Sequence, residues 1–345
     1  MMTKKIQSAM LILLFVCGVS FMAMDVSYAA DNVIRWRCQA YQPASSALWE
    51  GSTLRFVKTI KEQTGGRLVI EPFVQGAIVP VGDIYAAVGK GMIEMGSVYP
   101  GVLRGKVPLA AIAGGLPFMF KKPWECAYFH EALGFEKMMR DECAKDGVYF
   151  STDCIAQVDL LTKKPIRSIK DLKGMKLRSS GEFQIWFNDL GVAASYLPGG
   201  EIYAALASGV VEGVHWGSAK GASEMGFYEI CKFNMVPSIA VAGYNAWLIN
   251  QKAIDSLPKD IRDILYMALE QQFWSRTNQY TYDAEIELTK LEKQGVELVH
   301  MPVEDQKVMY LSAMKIWDKV ATQSPECAKA IEIAKRFLIS LGYIE

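Results

Sequence analysis

The sequence contains little histidine, no excess of charge of either sign, and no long apolar run after its N-terminal segment. Its 345 residues include three histidines, which leaves little room for a histidine-rich metal centre. Lys plus Arg number 37, and Asp plus Glu also number 37, so no surplus of cations is present to neutralise nucleic-acid phosphates. The patterns G-x-x-x-x-G-K-[ST] and G-x-S-x-G are both absent. The charge balance therefore argues against nucleic acid as the main partner, and the usual signatures of nucleotide binding and of serine-ester chemistry are missing.

The composition is that of a folded protein with room for more than one core. Hydrophobic residues make up 51% of the chain and charged residues 21%, a balance typical of globular proteins and unlike that of disordered ones. At roughly 150 residues per domain, the length suffices for two lobes.

The N-terminus has the layout of a secretory signal peptide. Lys4 and Lys5 form a basic region, residues 6–24 form an apolar run, and small residues precede a cleavage position after Ala29. We therefore expect an exported, periplasmic chain from which residues 1–29 are removed. A membrane anchor and a lipid attached at Cys17 are the alternatives, although the strongest apolar segment is short for a membrane-spanning helix.

Removal of the signal peptide leaves six cysteines in a compartment that permits disulfides. Their connectivity cannot be read from the sequence, and buried free thiols are expected for most of them. Cys126 and Cys143 are the pair to test, because they flank a break at Gly134 between two helical patterns.

Alternating strand and helix patterns occur twice along the chain and predict two α/β lobes. Residues 45–63 have helical spacing of apolar residues within the first lobe. Pro258 then opens a very long helical pattern that ends at Gly295. At 1.5 Å per residue this helix would measure about 50 Å and cross both lobes. The predicted division is a signal peptide over 1–29, lobe I over 30–155 and 246–275, lobe II over 156–245, a long connecting helix over 257–295, and C-terminal helices over 303–345.

Several polar side chains stand where predicted strands end. They are Tyr99, Arg178, His215 and Trp216. In open α/β sheets ligands bind beyond the carboxyl ends of the strands, and an arginine fork matches a carboxylate with two parallel charge-assisted bonds. These residues therefore predict a site for a small organic anion. Tyr41 is a further candidate contact, because a phenol offers both a ring and a hydrogen bond.

Three segments of the chain resemble the solute-binding proteins of TRAP (tripartite ATP-independent periplasmic) transporters, of the DctP type. Residues 171–178, DLKGMKLR, resemble the D-L-K-G-x-K-x-R signature of that family. Residues 197–209 and 226–228 resemble the branch that binds α-keto acids. The resemblance extends over essentially all of the mature chain and implies a two-lobed periplasmic binding protein fold, with lobes that close on an organic acid.

The resemblance also implies roles for individual residues. Arg178 falls where the family holds the substrate carboxylate, while Gln157 and Trp216 fall where the keto-acid branch holds a cation that bridges to the substrate. His215, however, replaces a carboxylate of that set, and residues 239–241 contain none where a second is expected. Sodium and calcium require hard oxygen ligands, so we expect no cofactor or metal. His215 and Gln157 would instead donate hydrogen bonds to the ligand, and a protonated His215 could add charge.

The leading hypothesis is a binding component that captures a monocarboxylate or dicarboxylate, including keto and hydroxy acids, and delivers it to TRAP membrane permease subunits. A sensor subunit for a membrane receptor would share the site and differ in partner. An exported enzyme using His215 with Glu201 or Asp159 is the third hypothesis, although no nucleophile–base–orienter set is visible. The helical pattern at 325–341 would also permit a homodimer formed by exchange of C-terminal helices.

Overall fold

The computed structural model describes residues 33–344 of the chain. The expected signal peptide and Cys17 lie outside these residues. Ten strands are present in the described part: β1 (Ile34–Gln39), β2 (Leu68–Phe73), β3 (Met95–Val98), β4 (Val148–Thr162), β5 (Lys176–Arg178), β6 (Ala193–Ser195), β7 (Gly213–Trp216), β8 (Phe233–Val236), β9 (Ala240–Asn250) and β10 (Glu297–His300).

The α-helices alternate with these strands in the first two thirds of the chain and follow one another at its end. They are α1 (Arg55–Gln63), α2 (Ile84–Gly89), α3 (Ala110–Ala113), α4 (Pro123–Glu131), α5 (Phe135–Ala144), α6 (Gly181–Asp189), α7 (Ile202–Ser208), α8 (Ala219–Glu224), α9 (Phe227–Ile230), α10 (Gln251–Asp255), α11 (Lys259–Lys293), α12 (Val303–Ala321) and α13 (Pro325–Ser340).

The strands form two sheet regions that share β4. In lobe I the order is β2-β1-β3-β9-β4, with β1 parallel to both β2 and β3 and with β9 antiparallel to its neighbours. In lobe II, β6, β5 and β7 run parallel, and β7 pairs antiparallel with the end of β4. Strands β8 and β10 extend this region on the other side of β4. The carboxyl ends of β5 and β7 therefore lie next to each other.

Strand β4 passes from one lobe to the other. It pairs with β9 from Val148 to Val158 and with β7 from Asp159 to Thr162. The register with β9 shifts at Thr152, Cys154 and Ile155, an irregularity of the kind that bends a strand. A single continuous strand thus connects the two halves of the molecule.

Helix α11 spans both lobes, as the sequence predicts. Its 35 residues correspond to about 50 Å at 1.5 Å per residue. Near its start, Leu265 and Leu269 are buried against Trp247 in lobe I. Near its end, Leu291 is buried in a cluster with Leu206 of lobe II. The fold is therefore the expected two-lobed α/β arrangement with a long helix crossing it.

The region predicted as one helix over 45–63 is divided in the structure. Trp49–Leu54 forms a π-helix, and α1 follows directly from Arg55. Gly51 lies within the π-helix, and a Cβ there would come 2.6 Å from Nη2 of Arg276 on α11. The wider turn therefore lies where the chain is packed against a buried arginine of the long helix.

The expected test pair Cys126–Cys143 is not bridged. All six cysteines of the described residues are free and buried, and burial raises the pKa of the Cys143 thiol to about 12. Both sulfurs belong to the main apolar core.

The C-terminal helices close the core of the molecule. Trp317 of α12 is fully buried and donates from Nε1 to the carbonyl of Pro117 at 2.9 Å. Leu338 of α13 is buried in the same core. Between residues 33 and 344, every helix is too short or too polar to cross a bilayer.

Candidate functional site

Arg178 ends strand β5 at the carboxyl edge of the lobe II sheet. It is 7% exposed. Its Nε donates to the carbonyl of Leu197 at 3.1 Å, and its Nη1 donates to the carbonyl of His215 at 3.1 Å. Both acceptors are neutral, so the backbone holds the guanidinium in place and does not balance its charge.

Two aromatic rings complete the surroundings of Arg178. The guanidinium carbon lies 5.1 Å from the centre of the Trp216 ring and 5.8 Å from that of Tyr196. Burial lowers the pKa of Arg178 to about 10, which leaves it protonated at neutral pH. Across residues 33–344 no carboxylate lies within 4.0 Å of its nitrogens. The site is thus a buried positive charge between aromatic rings, without a counter-ion from the chain.

His215 lies beside Arg178 and is neutral. Burial, reinforced by the Arg178 charge, lowers the pKa of the imidazole to about 3. Its Nδ1 is 2.8 Å from Oγ of Ser179, and its ring packs against Phe183 with centroids 4.6 Å apart. The expectation that a protonated His215 adds charge is therefore wrong, because burial and the Arg178 charge both disfavour a second cation here.

Trp216 and Asp159 face each other across the β4–β7 pairing. Trp216 packs edge-on against Phe227 at 5.4 Å, which fixes the ring that covers Arg178. Asp159 is buried, and its carboxylate accepts from Oγ of Ser238 at 2.6 Å. Burial raises the pKa of Asp159 to about 6. No hydrogen bond in the described chain joins Asp159 or Glu201 to His215, so the acid–base pair of the enzyme hypothesis is not assembled.

Gln157 lies on β4 opposite Val241 and two residues before Asp159. Its amide oxygen is buried and has no hydrogen-bond partner within residues 33–344. An unpaired buried amide is costly, which makes Gln157 a candidate for contact with a polar ligand group.

The two candidate tyrosines have different positions. Tyr99 follows β3 in lobe I, donates its hydroxyl to the carbonyl of Gly114 at 2.7 Å, and is close enough to Arg178 for that charge to act on its pKa. Tyr41 donates to the carbonyl of Tyr244 at 3.3 Å and packs in a cluster with Cys154. The structure thus brings Tyr99 near Arg178, and Arg178 itself contacts His215 and Trp216. Burial, with Tyr244, Cys154 and Tyr99 beside it, raises the pKa of Tyr41, so Tyr41 also lies near Tyr99, and a ligand contact for Tyr41 stays a prediction.

Contacts between the lobes close one side of this region. Arg104, which follows β3, pairs with Glu182 of α6 at 3.3 Å. Phe118 of lobe I packs edge-on against Trp186 of α6 at 5.5 Å. Gly115 has φ +95°, and a Cβ there would come 2.4 Å from the Ala242 Cβ. This close approach admits only glycine, so the segment before Phe118 packs with its backbone directly against β9.

Sequence reasoning did not single out Ser179, Tyr196 or the Arg104–Glu182 pair. Ser179 directly follows Arg178, and Tyr196 lies at the end of neighbouring strand β6. Both positions follow from the strand-end rule once the strands are placed. In residues 33–344 no group of three or more His, Cys, Asp or Glu side chains is arranged to hold a metal ion.

Comparison with protein families gives a match over most of the chain. A model described as "Bacterial extracellular solute-binding protein, family 7", DctP, matches residues 40–324. A monocarboxylate 2-oxoacid-binding periplasmic protein from Nostoc sp. is 28% identical over 306 residues, which cover 88% of this chain and 84% of that protein.

Solved structures have the same fold. A TRAP periplasmic solute-binding protein from Colwellia psychrerythraea, with bound calcium and pyruvate, has a TM-score of 0.80 at 22% identity and covers 90% of this chain and 95% of its own. A TRAP transporter solute-binding protein from Bordetella bronchiseptica, a dimer with calcium and picolinate in one active site, has a TM-score of 0.79 at 22% identity, covering 90% and 94%. At these identities the similarity establishes the fold.

Proposed function

The chain belongs to family 7 of the bacterial extracellular solute-binding proteins, the DctP family, and from this premise we propose that it captures a small organic acid through Arg178 and delivers it to TRAP membrane permease subunits. The resemblance drawn from the sequence motifs is confirmed at the level of the family. The family binds solutes, and we propose binding without turnover for this chain too.

One observation carries the proposal: Arg178 is a buried cation without a carboxylate partner in the described chain. Burying an unpaired charge is unfavourable unless a partner compensates it. The fork of a guanidinium accommodates the two oxygens of a carboxylate with parallel charge-assisted bonds. A ligand carboxylate would therefore complete the site that the carbonyls of Leu197 and His215 hold in position.

We further propose that the acid is bound directly, without a bridging cation. The position where the resemblance places one carboxylate ligand holds His215, which is buried and neutral. Ile239, Ala240 and Val241, where the second is expected, are buried apolar residues. The set that remains, Gln157 and Trp216, contains no negative charge, and calcium and sodium require hard oxygen ligands of which carboxylates are the usual source.

The unpaired amide of Gln157 indicates the second feature of the ligand. Its buried oxygen lacks a donor in the described chain and can accept from a ligand hydroxyl, and the NH2 group of the same amide can donate to a keto oxygen. Together with Arg178 it fits an acid that carries a keto or hydroxyl group close to its carboxylate. The relative from Nostoc is named for binding monocarboxylate 2-oxoacids, which supports the same ligand class for this chain.

Location and delivery form the remaining part of the proposal. The family is extracellular, and the expected signal peptide would place the mature chain in the periplasm. Binding in the cleft would favour the closed arrangement of the lobes by differential affinity, and this closed form would be the one that the permease recognises. Homodimer formation through the C-terminal helices stays a prediction.

A calorimetric panel tests the proposal. The mature chain is titrated with 2-oxo acids, 2-hydroxy acids and uncharged analogues, and each mixture is followed by NMR for turnover. We expect binding of one of the acid classes, no product, and loss of binding in Arg178→Gln. Arg140→Gln is the matched control, because Arg140 is already paired with a carboxylate of the chain. Binding that survives Arg178→Gln, or conversion of the acid, would contradict the proposal.

A further inference from the structure

A cleft in lobe I lies where α11 passes over β4, beside the end of α4. Its volume is about 330 Å³, within the range of about 300–1,000 Å³ that is usual for small-molecule sites. Its lining residues all fall within 131–152 and 266–273, so this lobe I cleft belongs to one lobe alone. It shares no residue with the organic-acid site around Arg178.

Apolar and aromatic side chains form a large part of the lining. Leu269 and Phe273 of α11 are buried and line the cleft. Tyr149 of β4 and Tyr266 of α11 also line it, with their ring centres 5.3 Å apart. Such a lining accommodates the apolar body of a ligand, and tyrosine rings also attract cations.

Two carboxylates line the same cleft without a cationic partner. Glu131 ends α4 and Glu270 lies on α11, and both residues are exposed. Within residues 33–344 neither carboxylate forms a hydrogen bond or an ion pair. The positions three and four residues from Glu270 on either side hold Tyr, Met, Phe and Trp, so no basic neighbour on the helix balances its charge.

Glu131 occupies a position that is unfavourable for stability. It is the last residue of α4, where the dipole of a helix disfavours negative charge. Burial and the nearby carboxylates of Glu136 and Glu270 raise the pKa of Glu131, although Arg140 opposes this shift. A bound cation would relieve the repulsion between these carboxylates, and folding alone gives no reason for the arrangement.

Arg140 lines the lobe I cleft too, but its charge is already balanced. Its Nη2 donates to Oε1 of Glu136 at 3.4 Å, and its Nε donates to the carbonyl of Phe150 at 3.1 Å. Its guanidinium carbon lies 5.1 Å from the centre of the Tyr149 ring. The charge that remains in the lining is that of Glu131 and Glu270, which favours a cationic ligand over an anionic one.

A buried hydroxyl adds a third polar group to the cleft. Ser151 is 3% exposed and lines the cleft from β4. It lies two residues after Tyr149, so both side chains are on the same face of the strand. Its hydroxyl has no hydrogen-bond partner in the part of the chain that the structure describes. A hydroxyl can accept from an ammonium group, which has three donors and no acceptor.

We propose that the lobe I cleft is a second binding site, for a small organic amine. The ammonium group would be held by Glu131, Glu270 and the Ser151 hydroxyl, and the apolar body would lie against Tyr149 and Tyr266. The apolar part of the lining distinguishes an organic cation from a metal ion, since calcium and magnesium require a full shell of oxygen ligands. Since the cleft lies within one lobe, amine and organic acid would bind independently.

Benzylamine and benzyl alcohol form a matched pair of probes, because they differ mainly in the charged group. We expect calorimetry to show saturable binding of benzylamine to the mature chain and at least tenfold weaker binding of the alcohol. Glu270→Gln should weaken benzylamine binding about tenfold, the usual effect of losing one charge-assisted hydrogen bond. Glu292→Gln, the same charge change near the other end of α11, should leave it unchanged. Equal binding of both probes, no saturable binding, or full affinity in Glu270→Gln would overturn the proposal.

Glu131→Gln gives a test that a merely structural role would fail. We expect it to weaken benzylamine binding about tenfold and to raise the melting midpoint of the free chain, because it removes the repulsion. A lower midpoint together with unchanged binding would overturn the role of Glu131.

The position of the site is tested with 4-bromobenzylamine soaked into crystals of the mature chain. We expect an anomalous bromine peak between Tyr149 and Tyr266, and benzylamine affinity that is unchanged in Arg178→Gln. A bromine peak only beside Arg178, or loss of benzylamine binding in Arg178→Gln, would show that the amine occupies the organic-acid site and would overturn the proposal.

Discussion

Two buried clusters of this molecule contain an arginine, a histidine and a hydroxyl, and only the cluster in lobe I also contains a carboxylate. There, Oε2 of Glu136 accepts from the Thr152 hydroxyl at 2.7 Å and lies 3.4 Å from Nδ1 of His130. Its Oε1 lies 3.4 Å from Arg140. Each cation or donor of this cluster has its acceptor within the chain, and the pKa of Glu136 is lowered despite its burial.

The lobe II cluster consists of Arg178, Ser179 and His215. Its histidine bonds to a hydroxyl as in lobe I, but within residues 33–344 the hydrogen bonds of its arginine go to backbone carbonyls and none to a carboxylate. The comparison teaches what distinguishes a structural arginine from a binding one. In lobe I the carboxylate is part of the fold, and in lobe II we propose that the ligand supplies it.

Among the substitutions that test this comparison, Arg178→Gln should have the largest effect, a loss of ligand affinity. We expect affinity for the organic acid to fall about 1,000-fold, or ~4 kcal/mol, because truncating one member of a buried charge pair costs 2–5 kcal/mol or more. Isothermal titration calorimetry measures the change. Arg140→Gln, the equivalent substitution in lobe I, should change affinity less than about twofold, and a large loss in that variant would break the distinction.

Glu136→Gln should destabilise the chain strongly while leaving the ligand site intact. The substitution removes the charge that balances Arg140 and keeps the size of the side chain. Because the Arg140 side chain is 35% exposed, the cost comes mainly from weakening the charge-assisted hydrogen bonds that Thr152 donates to Glu136, about 1.5–3 kcal/mol. Urea denaturation should show this loss in the free energy of unfolding. The Arg178 cluster of lobe II contains no carboxylate, so it offers no equivalent substitution.

The dependence of the free energy of unfolding on pH in the acid range should show that His215 is neutral in the folded chain. Its pKa is about 3 in the folded chain and 6.5 ordinarily. Between these values the unfolded chain holds a proton that the folded chain lacks. The stabilisation is therefore complete above pH 6.5 and is lost as the pH falls, by about 1.4 kcal/mol per pH unit. His215→Gln should flatten this decline in denaturation curves measured from pH 7 to pH 4.

Asp159 should change the pH dependence of stability in the opposite direction to His215 over part of the same pH range. Its pKa is about 6 in the folded chain and 3.8 ordinarily, so the folded chain holds the extra proton between these values. Stability then falls as the pH rises toward 6. Asp159→Asn should therefore steepen the acid decline that His215→Gln flattens. Equal curves for wild type and both variants would contradict the pKa assignments.

Arg104→Gln should have the smallest effect. The Arg104–Glu182 pair joins the lobes at 3.3 Å, but the arginine is 47% exposed. Exposed ion pairs contribute about 0–1 kcal/mol, so we expect affinity to fall by about twofold to threefold. The loss should shrink further in high salt, because screening weakens exposed charges. A tenfold effect would mean that this contact contributes more to lobe closure than its exposure indicates.

Much of the lobe II site follows from the sequence. Arg178, His215 and Trp216 end strands, and parallel strands place their carboxyl ends at one edge. The charge state of His215 could not be predicted, because it depends on burial and on Arg178 from another strand. The surroundings of Tyr41 could not be predicted either, since its contacts with Tyr244 and Cys154 come from distant parts of the chain.

The long helix α11 and the π-helix show the same limit for predicting the fold from the sequence. The 35 residues of α11 were predictable because Pro258 and Gly295 enclose one continuous helical pattern. The π-helix was not, since periodicity over residues 45–63 fits an ordinary helix, and Arg276 packs against it from more than 200 positions away. Local sequence patterns thus predict helices and strands, whereas contacts between residues far apart in the chain determine the geometry of helical turns and the charge state of buried side chains.

The most direct measurement is a calorimetric titration of the mature chain, treated with EDTA and dialysed into sodium-free buffer, with sodium-free salts of pyruvate and related 2-oxo and 2-hydroxy acids, repeated with added calcium or sodium. We predict that one of these acids binds in the absence of added cation, with the same affinity when either cation is restored, and that Arg178→Gln does not bind it. Binding that appears only after calcium or sodium is added would contradict direct capture by Arg178 and would show that the ligand does not complete the lobe II cluster unaided.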